Sequence, residues 1–138
     1  MDRNVTEAVL TWTEMHPALE GLKVFYEFLP DNESAAMLGT LSGNPIIKTY
    51  IDGSSLGAYR FQIVLRQITD DTMAKLDAME RLRQVIDAVD MGYIPVLPEG
   101  YNTFDLEVDT LPSKMATSKD NKTEDYQVTF TLSYKRGA

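Results

Sequence analysis

No cysteine occurs in the 138 residues, which removes disulfides, thiolate zinc sites and cysteine nucleophiles together. A reducing compartment fits that composition. Histidine is nearly absent too: the single one, His16, stands before Pro17 at the end of a helical segment. A hydrolase of the serine or cysteine type needs a base held in place by a third group. One helix-end histidine gives such chemistry nothing to build on, and His16 reads as a surface or helix-end residue. No apolar run approaches the ~18 residues of a membrane span. The opening MDRNVTEAVLTWTEMH carries charges through any would-be signal sequence. Cations are also scarce, with 13 Lys and Arg against 21 Asp and Glu and a net charge of −8. Tight nucleic-acid binding needs clustered cations that displace counterions, so this balance argues against it. It suits an assembly protein, or a surface that DNA slides past without sticking. The expectations are a protein made in a cytoplasm, with no membrane partner, no cofactor, no metal and no enzymatic step.

What is present is ordinary globular composition, 43% apolar and 25% charged. The length fits one domain over 1–138, able to bury roughly 68% of its unfolded surface without staples.

The clearest pattern lies at the C-terminal end. Tyr126, Val128, Phe130, Leu132 and Tyr134 alternate with Gln127, Thr129, Thr131, Ser133 and Lys135. A period of two puts the apolar set on one face of a long, half-buried strand. The same alternation marks 58–68, with Tyr59, Phe61, Ile63 and Leu65 inward and Arg60, Gln62 and Arg66 outward. It recurs over 103–111, with Phe104, Leu106 and Val108 opposed to Asp105, Glu107 and Asp109. Residues 22–29 are apolar on both faces, which predicts a central or doubly covered strand. Residues 46–51 are a further strand, joined to 58–68 by the glycine-flanked hairpin loop 52–57.

Three-four spacing of Val5, Ala8, Val9, Trp12 and Met15 predicts a helix over 4–16, stopped by Pro17. The main helix is predicted over 71–91, capped by Thr69 or Asp70, with acids in its first turn. Its buried stripe is Met73, Leu76, Met79, Leu82, Val85, Ile86 and Val89, and Gly92 takes the left-handed position after it. Residues 33–38 admit a short helix, and Gly39, Gly43, Asn44 and Pro45 mark a loop. Residues 112–124 lack periodicity and read as an exposed, mobile loop. These elements predict an α+β fold: a mostly antiparallel sheet of about five strands, with two helices on one face.

Few residues suggest chemistry. Gly53 to Gly57 matches neither a P-loop nor a dinucleotide fingerprint and reads as a hairpin turn. The row Asp105, Glu107 and Asp109 spaces its carboxylates about 6.8 Å apart along one strand, too far for one ion unaided. Nothing near it announces the apolar pocket that a glycosidase acid requires. It remains a solvated face, with repulsion of only about 0.6 kcal/mol per neighbour in water, or a functional acidic surface. Arg60 and Arg66 are candidates to pair with that row within a subunit or across an interface, or to form ordinary cross-strand bridges. Tyr50, Tyr59, Tyr93, Tyr101, Tyr126 and Tyr134 suit protein contacts and sheet cores alike.

The succession FYEFLPDNES, DGSSLGAYRFQIVLRQITDD, an amphipathic helix, LPEGYNTFDLEVDTLP and TEDYQVTFTLSYKRG resembles the small minor capsid or tail-terminator-like proteins of long-tailed bacteriophages and prophages of Gram-positive bacteria. The resemblance runs from about Leu22 to Gly137 and lies in phrases and element order. It implies a virion protein at the head–tail joint that forms a homo-oligomeric ring, commonly a hexamer. Such a ring caps the tail tube and docks it to the head connector, and DNA passes through the lumen without specific binding. It further implies Asp105, Glu107 and Asp109 as lumen-facing acids. Docking loops would sit around Gly53, Ser54 and Ser55, and around Lys119 and Asp120. A head-completion or neck protein of the same module, and a cytoplasmic α+β module for a small ligand, stand as alternatives.

Overall fold

A computed structural model describes residues 3–31, 33–42, 46–68, 72–119 and 122–137. The caps expected at Thr69 or Asp70, the turn signals at Asn32, Gly43, Asn44 and Pro45, and the candidate Asp120 lie outside the described residues. The elements run α1 (Arg3–Glu14), a short 3-10 helix (Pro17–Leu19), β1 (Val24–Tyr26), β2 (Ala35–Thr40), β3 (Ile46–Thr49), β4 (Ser55–Ile68), α2 (Thr72–Asp90), β5 (Tyr101–Thr117) and β6 (Thr123–Arg136). The class is α+β, as the alternation predicts. The described sheet has six strands in the order β1-β2-β4-β6-β5, with β3 also paired to β4. Every pairing is antiparallel except β1 with β2.

The strands with strict alternation form the centre. β4 and β6 pair without interruption from Ser55↔Arg136 to Ile68↔Thr123. Directly opposed residues share a face, so Phe61 meets Phe130 and their rings stack with centroids 5.2 Å apart. Trp12 of α1 stands edge-on to both rings, 6.4 Å from each centroid. Val5 and Val9 of α1, and Ala78, Leu82 and Val85 of α2, join the same buried cluster. Both helices therefore lie on the Phe61–Phe130 face. Each fully buried side chain of this size contributes about 1.5–3 kcal/mol.

Helix α2 ends as its glycine predicts. Gly92 has φ +91, and the Tyr93 and Gly92 N–H groups close onto the carbonyls of Ala88 and Val89. One expectation for this helix is corrected, and one falls on Asp71, the expected first-turn acid, which lies outside the described residues. Met73 and Leu76, counted in the buried stripe, are largely exposed.

Three strand expectations are also corrected. Residues 22–29 form neither a central nor a doubly covered strand: β1 is three residues at the sheet edge. Glu27 turns the chain out with φ +55, a region rare for non-glycine residues, and its carboxylate accepts the Thr40 N–H. Residues 35–40 are a strand rather than a short helix. Ala35, Ala36 and Leu38 are fully buried, Ala36 and Leu38 within the core cluster, and β2 pairs with β1 on one side and β4 on the other. Lastly, 112–117 continue β5 instead of opening a loop. The exposed turn narrows to the region around Ser118 and Lys119.

β5 holds register with β6 only through four shifts, each adding a residue opposite the partner strand. The first leaves Phe104 unpaired and 60% exposed, outside the apolar face it shares by simple alternation.

Replacing Phe130 by alanine is expected to cost about 3–5 kcal/mol, since it opens a cavity beneath Trp12. Met73→Ala, at an exposed site, is expected to change stability by less than about 0.5 kcal/mol. Urea unfolding of both variants checks the contrast; similar losses would mean that Met73 lies within the core.

Candidate functional site

The sheet face opposite the helices is the surface that the fold leaves for function. Its central strip is built by β6, whose Asp125, Gln127, Thr129, Thr131, Ser133 and Lys135 point away from the core. Along β5, Asp105 stands opposite Ser133 and Glu107 opposite Thr131. Asp109 sits at the second register shift, yet it stays on this face and accepts a hydrogen bond from the Thr131 hydroxyl. Thr110 and Thr129 hydroxyls meet at 2.7 Å beside it. The three acids thus share one exposed side, as alternation predicts, and rest on a bed of hydroxyls.

Arg60 and Arg66 do not join them within the subunit. β6 lies between β4 and β5, so the arginines and the acidic row are two strands apart. Arg60 donates to the Ser42 carbonyl at 3.0 Å. Arg66 makes a bidentate pair with Asp125, at 2.8 and 2.9 Å, and donates to the Pro30 carbonyl at 3.0 Å. The Asp125 carboxylate holds the Arg66 guanidinium above its ordinary value. Through the Pro30 bond Arg66 ties that residue to the outer face. Val64 points the same way as Arg66 and is only 1% exposed.

The two turns also part company. Gly53 has φ +88 and is exposed, but Ser54 is buried, its N–H and hydroxyl both donated to Asp52 at 2.9 and 2.6 Å. Ser54 is thus not presented as a docking group. Ser55 opens β4, held between Thr49 and Arg136. Lys119 is exposed at the β5–β6 turn.

His16 does cap a helix end, but it is not at the surface. Its Nδ1 accepts the Ala18 N–H at 3.1 Å, starting the 3-10 helix, and its ring lies edge-to-face with Trp12 and Tyr93. Burial lowers its pKa, which keeps the ring neutral near pH 7.

One cluster was missed by sequence reasoning. Glu124 is in phase with Tyr126 and Val128, so it lies on the helix side of β6, beneath the start of α2. It is buried, accepts the Tyr126 hydroxyl, and pairs with Lys75 at 3.2 Å and Lys114 at 3.8 Å. The signal was available: a carboxylate in register with an apolar row requires cations above it. The hydrogen bond from Tyr126, with the two lysines, holds Glu124 below the ordinary carboxylate value. Burial, and the neighbouring Glu124 charge, push Tyr126 up to about 12.

Two grooves lie elsewhere. One of about 770 Å³ runs between α2 and β5, with Leu76, Met79, Ile86, Leu111 and Pro112 as its apolar lining. The other, about 580 Å³, lies between α1 and residues 93–98 and includes Trp12 and Tyr93. Among the described residues there is no group of three or more His, Cys, Asp or Glu placed to hold a metal ion. No described helix is long and apolar enough to cross a membrane.

No protein-family model matches the chain, and a search of curated proteins finds no match.

The Glu124 cluster makes a pH prediction at each end. A carboxylate depressed in the folded state contributes stability that is present above its ordinary pKa of 4.5 and lost as pH falls through the lower folded value. A tyrosine raised from 10 to about 12 contributes stability that is present below pH 10 and lost as pH climbs toward 12. Glu124→Gln should flatten the acid limb of a urea-midpoint profile, and Tyr126→Phe the alkaline limb. Glu124→Ala should cost about 1–3 kcal/mol at neutral pH. Unchanged limbs in both conservative variants would remove the cluster from the stability account.

Proposed function

We propose that this chain is a virion structural protein at the head–tail joint of a long-tailed phage or prophage, acting as a tail-terminator-like ring subunit. The ring caps the tail tube, docks to the head connector and lets DNA pass. The observation that carries this reading is the two-sided sheet: one face sealed by both helices, the other bearing Asp105, Glu107 and Asp109 over hydroxyls. An acidic, hydroxyl-rich wall repels phosphate and supplies no cations for counterion release, which is what a DNA conduit needs. The resemblance of residues from Leu22 to Gly137 to minor capsid and tail-terminator-like proteins supports the same role. In this role the chain performs no chemical step and works by complementary surfaces. Placement at the neck, as a head-completion protein, uses the same surfaces.

A second reading, a small-ligand-binding module, is favoured by the groove of about 580 Å³ flanked by Trp12 and Tyr93. Light scattering over a concentration series up to about 1 mM separates the two. A discrete species of about six subunits supports the ring. A strict monomer that binds small apolar ligands with Trp12 fluorescence changes would replace it.

The wall has its own test. Wild-type protein is expected not to retard duplex DNA at physiological salt. Substituting Asp105, Glu107 and Asp109 together by lysine should create salt-dependent DNA binding while changing stability by less than about 1 kcal/mol, because all three sites are exposed. Binding by the wild type at that salt would contradict a non-adhesive wall.

A further inference from the structure

We infer that the groove between α2 and β5 receives the β3–β4 hairpin of a second copy of this chain, and that this head-to-tail contact links the subunits of the ring. The inference rests on the ring reading above and names the surfaces that build it.

The two surfaces match in shape and charge. The groove has an apolar floor in which Leu76 is 56% and Leu111 73% exposed, more than a lone subunit usually leaves open side by side. Its rim is acidic: Asp77, Glu80 and Asp87 surround Arg83, whose guanidinium is already committed to Glu80 at 2.6 Å and Asp87 at 3.2 Å. The hairpin is the converse, an apolar tip with a basic collar. Ile51 is fully exposed at the turn and Ile47 is 60% exposed. Lys48 and Lys135 lie over the Tyr50 ring, 5.1 and 5.3 Å from its centroid. Asp52, the acid of the turn, stays charged with Ser54 donating to it, so the hairpin sets one acid against Lys48 and Lys135 and remains net basic.

Charge also selects the symmetry. Groove against groove would bring two acidic rims together, and hairpin against hairpin two basic collars. Groove against hairpin pairs opposite signs around an apolar centre. The hairpin projects from the sheet end where Ser55 meets Arg136, whereas the groove lies on the helix side, beside Leu111. One subunit therefore presents two different patches, the condition for a heterologous contact that closes into a ring or runs on as a filament.

The cysteine-free chain makes the test clean. Ile51→Cys and Leu111→Cys are prepared separately, both at exposed sites, then mixed in equal amounts and oxidised. The mixed disulfide is expected to form about tenfold faster than either homodimer, since docking brings the two backbones within the roughly 7 Å that a disulfide spans. Lys48→Glu with Lys135→Glu on the hairpin partner should slow it, and Asp77→Lys on the groove partner should restore it. Mixed and homotypic rates that are equal, or a mixed rate indifferent to charge reversal, would overturn the contact. Light scattering on the wild type keeps the two readings apart. A species of about six subunits without preferential cross-linking overturns this contact and leaves the ring standing. A monomer without preferential cross-linking overturns both. Preferential, charge-dependent cross-linking of a chain that scatters as a monomer supports the contact and counts against a ring preformed in solution.

Discussion

The pairing of β4 with β6 is the constraint from which the rest of the structure follows. It is unbroken from Ser55↔Arg136 to Ile68↔Thr123. Because side chains alternate with a period of two, that one register decides what every residue on both strands faces. A slip of one position would turn one strand over against the other, carrying Phe130 to the solvent side and Thr129 under the helices while Phe61 stayed in the core. The aromatic stack of Phe61 on Phe130, with Trp12 set against both, penalises such a slip directly. The helices are placed by the same rows, since Val5, Val9, Leu82 and Val85 have one continuous apolar surface on which to lie.

Once the register is fixed, the charges sort themselves. Asp125 and Arg66 are opposed on the outer face, where the pair is bidentate and largely shielded from water. Glu124, one residue earlier, falls on the closed face. There a carboxylate is tolerated only because Tyr126, Lys75 and Lys114 converge on it. Neighbouring acids in one strand thus do different work. One stitches the outer connection to the sheet, and the other ties the start of α2 to the β5–β6 hairpin. β5 is the irregular member of the set, its register shifts letting the strand follow β6 while Asp109 stays on the acidic side.

What could be read in the sequence follows the same division. β4, β6 and both helices carry long apolar periods, and their order and packing face were legible from them. β2 was not: Ala35, Ala36, Met37 and Leu38 have no period to separate a strand from a helical turn, and only the strands on either side decide the matter. β1 misled in the opposite sense, since apolar residues on both faces suggested a centre while Glu27 ended the strand at an edge. Strict alternation on β5 correctly gathered Asp105, Glu107 and Asp109, but it misplaced Phe104 because a bulge leaves no mark in composition. The link from the arginines to that row is absent within the subunit for a topological reason, and Arg66 makes an ordinary cross-strand bridge to Asp125 instead. Strand order is not written in residue spacing, and β6 stands between them.

The net charge of −8 bears on how the proposed ring of such subunits would form. Copies of this chain repel one another at long range, but at physiological salt that repulsion is screened beyond about 8 Å. Association must therefore be won at close quarters, by apolar contact and by the few cations placed where a neighbour is acidic. Lys48 and Lys135 stand beside the exposed Ile51 turn, and the rim of the α2–β5 groove is rich in carboxylates. In the proposed ring, contacts of this kind would loosen on dilution and tighten as concentration rises. Under that same reading the acidity would have two roles, limiting indiscriminate association and, on the Asp105–Glu107–Asp109 wall, keeping DNA from adhering.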